Sequence, residues 1–188
     1  MTREIVRYGD PVLRAKGKRI EKVDDEIRAL AADMIETMNA ANGVGLAAQQ
    51  IGHALQLTVV DVSAVEDRPS TLRLNGEEKD PRTSMPLVLI NPTVELHPGT
   101  TISLEGCLSF PEITADIERA ESVVAHAKTL EGEEITIEAS GLLARALQHE
   151  VDHLNGVLFI DRMNSAAKAA LGSRLKRLQK ETQRALKL

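Results

Sequence analysis

The segment His149-Glu150-Val151-Asp152-His153 constrains this chain most. It lies in a run from Ser140 to Leu154 that reads as a helix closed by Asn155-Gly156. Two histidines four apart lie about 40° apart around a helix of about 3.6 residues per turn, so both rings leave one face and can grip one metal ion. Leu142, Ala146, His149 and His153 share a narrow arc, so the histidines emerge from the face the helix buries. Arg145, Gln148 and Asp152 are expected on the opposite, wetter side. Glu150 sits about 100° round from His149, able to reach a water at a metal without being a ligand.

Two histidines packed in a core give the same short pattern, so the third ligand decides. A zinc peptidase would find it downstream. There the position of a third histidine is Phe159, Asp161 follows too closely, and Glu181 sits in a basic helix. The only cysteine, Cys107, is a better candidate, in the tight segment Leu104-Glu105-Gly106-Cys107-Leu108-Ser109-Phe110-Pro111. Two imidazoles and a thiolate leave an open position, as catalytic metals require. These donors suit iron, zinc, cobalt or nickel and disfavour magnesium and calcium. A closed structural site would need a fourth ligand, and His53, His97 and His126 lie in no comparable motif.

The 188 residues are expected to form one domain, 1–188. No apolar run reaches the ~18 residues of a membrane span. Met1-Thr2-Arg3-Glu4-Ile5 has no secretory h-region, and a lone cysteine suits the reducing cytoplasm. With Tyr8, Phe110 and Phe159 as the only aromatic residues, the core must be aliphatic, and binding of single-stranded nucleic acid by stacking is disfavoured. The net charge of −5 argues against a general polyanion binder. That charge is uneven: 165–188 carries +6 and the remainder −11.

Helical spacing predicts a first helix from about Asp24 to Ala41, and a third from Ser165 towards the C-terminus with Ala167, Leu171, Leu175, Leu178 and Ala185 as its apolar stripe. Leu57–Val62, Leu87–Ile90, Thr93–Leu96, Val123–Ala127 and Glu134–Ala139 read as strands. The polar stretch Ser63–Pro86 is expected to hold a short hairpin or a mobile flap. Helices and strands do not alternate regularly, which favours an α+β fold.

Three separated motifs then combine: Gly43-Val44-Gly45-Leu46-Ala47-Ala48-Gln49-Gln50, Glu105-Gly106-Cys107-Leu108-Ser109 and Gln148-His149-Glu150-Val151-Asp152-His153. With Arg7-Tyr8-Gly9-Asp10-Pro11-Val12-Leu13-Arg14, the chain resembles the peptide deformylases from about Ile5 to Phe159. The resemblance implies antiparallel sheets packed around a central metal-binding helix, with a C-terminal helix. It implies removal of the formyl group from the N-terminal methionine of nascent polypeptides, releasing formate. The metal ligands would be Cys107, His149 and His153, and Glu150 the general base and acid. Gln50 and the Leu108 N–H would form the oxyanion hole, with Val44, Gly45, Glu105 and Leu142 binding substrate. Iron(II) is the expected native ion, with zinc, nickel or cobalt as replacements.

Two positions depart from the family pattern. Thr114 stands where an arginine is frequent, and Arg145 where an aliphatic residue usually lines the methionine pocket, its stem expected to cover the pocket with its charge in water. Arg119 and Asp152 are expected to pair and orient the metal helix. The basic helix 165–188 is expected to dock on ribosomal RNA.

Overall fold

Strands β1 (Gly45–Ala47), β2 (Leu57–Val60), β5 (Leu87–Leu96), β8 (Ser122–Lys128), β9 (Glu134–Ser140), β3 (Ser70–Leu74) and β4 (Glu77–Lys79) lie side by side in that order, each antiparallel to its neighbour. A second sheet pairs β6 (Thr100–Gly106) with β7 (Thr114–Ala120), also antiparallel. This computed structural model describes residues 1–187. Helix α2 (Gly141–Leu154) packs against strands of both sheets, so the expected α+β arrangement around a central helix is the one found.

Helix α1 (Asp25–Ala40) begins where the Asp24 side chain accepts from the Ile27 N–H, and α3 (Ser165–Leu186) where Asn164 accepts from the Ala167 N–H. Both caps satisfy amide donors that a helix start leaves free. The α1 stripe of Leu30, Met34 and Met38 packs on Leu46, Leu57, Val59 and Ile90. Met34 and Met38 are fully buried, a position where truncation to alanine typically costs about 2–5 kcal/mol.

Phe110 stacks on Tyr8 at 4.8 Å and meets Phe159 edge-on at 5.0 Å. All three aromatic residues thus close one cluster with Leu13, Ile117 and Leu178, next to Cys107. The stripe of α3 joins this cluster through Ala167, Leu171, Leu175 and Leu178, but Ala185 is exposed and lies outside it.

Two expectations need correction, and a third is met in a setting the sequence did not show. The two runs Leu87–Ile90 and Thr93–Leu96 are one strand, β5, with a bulge at Asn91-Pro92. There Asn91 turns its side chain to the Ile20 N–H and C=O. The Ser63–Pro86 stretch does contain a hairpin, β3–β4 turning at Asn75-Gly76, but β3 is built into the large sheet through β9 with Leu72 in the core. Arg145 and Gln148 are not on a wet side: they are 5% and 7% exposed, because β6–β7 covers that face of α2.

Candidate active site

Strand β6 delivers Cys107 immediately after its last residue, opposite the buried face of α2. His153 Nε2 lies 3.3 Å from Cys107 Sγ and 3.2 Å from His149 Nε2, and the three donor atoms fall within 4.8 Å of one another. Tetrahedral bonds of about 2.0–2.1 Å to nitrogen and about 2.3 Å to sulfur imply edges of roughly 3.3 Å between nitrogens and roughly 3.6 Å between nitrogen and sulfur. Cys107, His149 and His153 therefore fit one divalent cation in spacing and donor chemistry.

The other side of His149 is held as firmly. Its Nδ1 is 2.7 Å from Glu105 Oε2, and Arg119 grips the same carboxylate with Nε and Nη2 at 3.1 and 2.7 Å. Arg119 Nη1 reaches Asp152 Oδ2 at 2.7 Å, so the expected Arg119–Asp152 pair is present. Arg145 adds a second guanidinium, donating to Glu105 Oε1, the Ile117 carbonyl and the Thr101 carbonyl. The Arg145 charge is thus buried among acceptors, not in water. Burial would raise the Glu105 pKa, but His149 and Arg119 outweigh it and hold the carboxyl below its ordinary range. Burial, with the charges of Arg119 and Arg68, holds Arg145 below the usual arginine value despite Glu105.

Glu150 points the other way. Burial pushes its carboxyl up to about 7 against the pull of His149 and of the Thr58 hydroxyl, which donates to Oε2 at 3.4 Å. A Cβ on Gly45 would lie 2.8 Å from the Glu150 Cδ, so a side chain there would displace the carboxylate. Gln50 is fixed by accepting from the Ala47 N–H at 2.9 Å, while its Nε2 lies 3.2 Å from Ser109 Oγ and 3.6 Å from Cys107 Sγ.

These groups open on a cavity of about 520 Å³. Val44, Gly45, Gln50, Glu105, Cys107, Leu108, Leu142, His149 and Glu150 line it together, and His153 lies behind them, 1% exposed. A triad spaced for a cation, a buried carboxyl and a side-chain amide facing one cavity are the groups that hydrolysis of a small amide requires. The family model for polypeptide deformylase matches residues 2–169. The chain belongs to the polypeptide deformylase family.

The peptide deformylase of Opitutus terrae is 45% identical over 190 residues, covering 100% of this chain and 98% of that protein. That of Dictyoglomus thermophilum is 45% identical over 162 residues, 86% of this chain and 93% of its own. Among solved structures, peptide deformylase 1B of Arabidopsis thaliana in complex with an inhibitor superposes with a TM-score of 0.84 at 39% identity, covering 98% and 94% of the two chains. The Thermus thermophilus enzyme gives 0.80 at 36% identity, covering 96% and 99%.

The sequence did not point to Arg68, which lines this deformylase cavity, or to Thr58 and Ser109, which touch Glu150 and Gln50 from behind it. Ser109 lies in the Glu105–Ser109 motif, whereas Thr58 reads as one more strand residue and Arg68 as part of a polar loop. Glu105 lines the cavity, but both its oxygens are engaged by His149, Arg119 and Arg145.

Proposed function

We propose that this enzyme hydrolyses the N-formyl group from the terminal methionine of nascent polypeptides, with residues 1–188 acting as one catalytic domain. The observation that carries this reading is Glu150, buried beside the Cys107, His149 and His153 donors and facing the same cavity. The three donors would hold one divalent cation, which when bound supplies Lewis acidity at the carbonyl under attack. Iron(II) is the native ion that the family resemblance implies, and a thiolate with two imidazoles is compatible with it. Zinc, nickel or cobalt would also fit.

Glu150 takes the proton of the attacking water and returns it to the leaving amine; a carboxyl near pH 7 suits both transfers. Gln50 Nε2 and the Leu108 N–H would stabilise the developing oxyanion, each such donor being worth about 3–4 kcal/mol. Val44 and Gly45 would hold the substrate backbone, with Leu142 against the methionine side chain. Glu105 is better placed to orient His149 than to touch substrate. Formate release from formyl-Met-Ala-Ser by the metal-loaded chain, and its loss on chelation, is the expected result. Cleavage of unformylated peptides instead would favour a peptidase.

For the ribosome, the support is α3, whose Lys168, Arg174, Lys176, Arg177, Lys180 and Arg184 are exposed while its apolar stripe packs inward. Such a face would meet RNA phosphates with salt-sensitive affinity. Reversing charge at Arg177 and Arg184 should weaken co-sedimentation with ribosomes at low salt; unchanged co-sedimentation would reduce α3 to a solvated helix. This setting would place the enzyme in the cytoplasm. Among the described residues no helix is long and apolar enough to cross a membrane.

A further inference from the structure

Arg68 is a half-buried charged group in the cavity wall that the mechanism above leaves idle. Glu105 and Arg145 are engaged with each other and with Arg119 and His149, Glu150 carries protons, and Glu112 is exposed on the turn after Pro111. Arg68 is half-buried, and its guanidinium donates through Nη2 to Ser103 Oγ at 2.9 Å. Among the described residues it makes no ion pair, although Glu66 and Asp80 line the cleft on its other side. A partly desolvated guanidinium tethered by one hydroxyl keeps donors for a further acceptor, and its planar fork suits a carboxylate.

Its position along β6 says which acceptor. Ser103 precedes Cys107 by four residues on an extended strand, roughly 13 Å at about 3.3 Å per residue. An extended peptide with its formyl group at Cys107 needs about four residues for that span, so a carboxylate on the third residue comes within reach of the long Arg68 side chain. We propose that Arg68 is a specificity-determining residue that meets a carboxylate of the substrate downstream of the formylated residue. This rests on the deformylase reading. The carboxylate can come from an acidic side chain or from the C-terminus of a short peptide.

The test compares formyl-Met-Ala-Glu-amide with formyl-Met-Ala-Gln-amide, and formyl-Met-Ala-Gln free acid with its amide, by formate release. At about 50 mM salt we expect each charged peptide to be favoured roughly two- to fivefold in kcat/KM, the range for a partly exposed ion pair. The difference should sit in KM, since the contact is made equally in ground and transition states. It should shrink at about 500 mM salt. In Arg68→Met the ratio should fall to about one, and Arg68→Lys should restore part of it. A preference only for the glutamate peptide identifies the side chain as the source, and one only for the free acid identifies the C-terminus. Charged and neutral peptides turned over equally by the wild-type enzyme at low salt, or a preference that survives Arg68→Met, overturns the proposal. No formate from any peptide would instead overturn the deformylase reading itself.

Discussion

Glu105 Oε2 stands 2.7 Å from His149 Nδ1, while two guanidiniums, those of Arg119 and Arg145, close on the same carboxylate. His149, one of the three donors that would hold the metal, is thereby held in one orientation by a charge that is itself doubly anchored.

Replacing Glu105 should therefore damage both the metal site and the fold. Glu105→Gln is expected to weaken metal affinity about 10- to 100-fold, as loss of a ligand's orienting partner does. Because it leaves Arg119 and Arg145 buried beside a neutral group, it should also cost about 3–5 kcal/mol of stability. Chelator competition and thermal unfolding of the same sample check both. Native metal affinity in the variant would show that His149 needs no such support.

A second prediction concerns acid stability. Arg14 binds Asp161 through both terminal nitrogens, and Asp161 also accepts from the Leu158 N–H. Burial would raise the Asp161 pKa, but these bonds outweigh it and lower the value below the ordinary carboxylate range. A depressed folded pKa gives stability that is present above the unfolded value near ~3.9 and is lost as pH falls through the folded one. The pair is more than a third exposed, so its contribution is at most about 1 kcal/mol. Asp161→Asn keeps an acceptor for Leu158 while removing the charge. It should lower Tm slightly at pH 7 and leave Tm unchanged near pH 2. An equal loss at both pH values would assign the effect to packing.

The proposed role of Cys107 as a thiolate ligand carries a redox prediction. Cys107 is half-buried in the cavity wall and sits 3.3 Å from His153 Nε2. With iron(II) loaded, air or peroxide should drive it up the sulfenic-to-sulfonic ladder, and activity should decay faster than with nickel or zinc. Mass spectrometry should place the added oxygen on Cys107. Equal decay with every metal, with Cys107 unmodified, would contradict this.

The metal helix was legible because its information is local: spacing alone puts His149 and His153 on one face and Glu150 beside them. Its surroundings were not, because they depend on a sheet whose pattern is inverted. In β6 the apolar Ile102 and Leu104 are exposed at 68% and 56%, while the charged Glu105 is buried at 8%. Alternation therefore gave no usable strand signal there. Without that sheet, Arg145 and Gln148 read as a wet face, although the sheet supplies the carbonyls that bury them. The α3 stripe failed only at its end, where Ala185 is exposed in an open cleft beside the N-terminal segment.

The most direct test of the account is Glu150→Gln, with metal content and formate release measured on one preparation. Glu150 is buried and outside the donor triad, so the variant should retain one divalent metal per chain while kcat falls by about 10²–10⁴. Loss of the metal from the variant, or turnover near the wild-type rate, would contradict the assignment of Glu150 as the proton carrier.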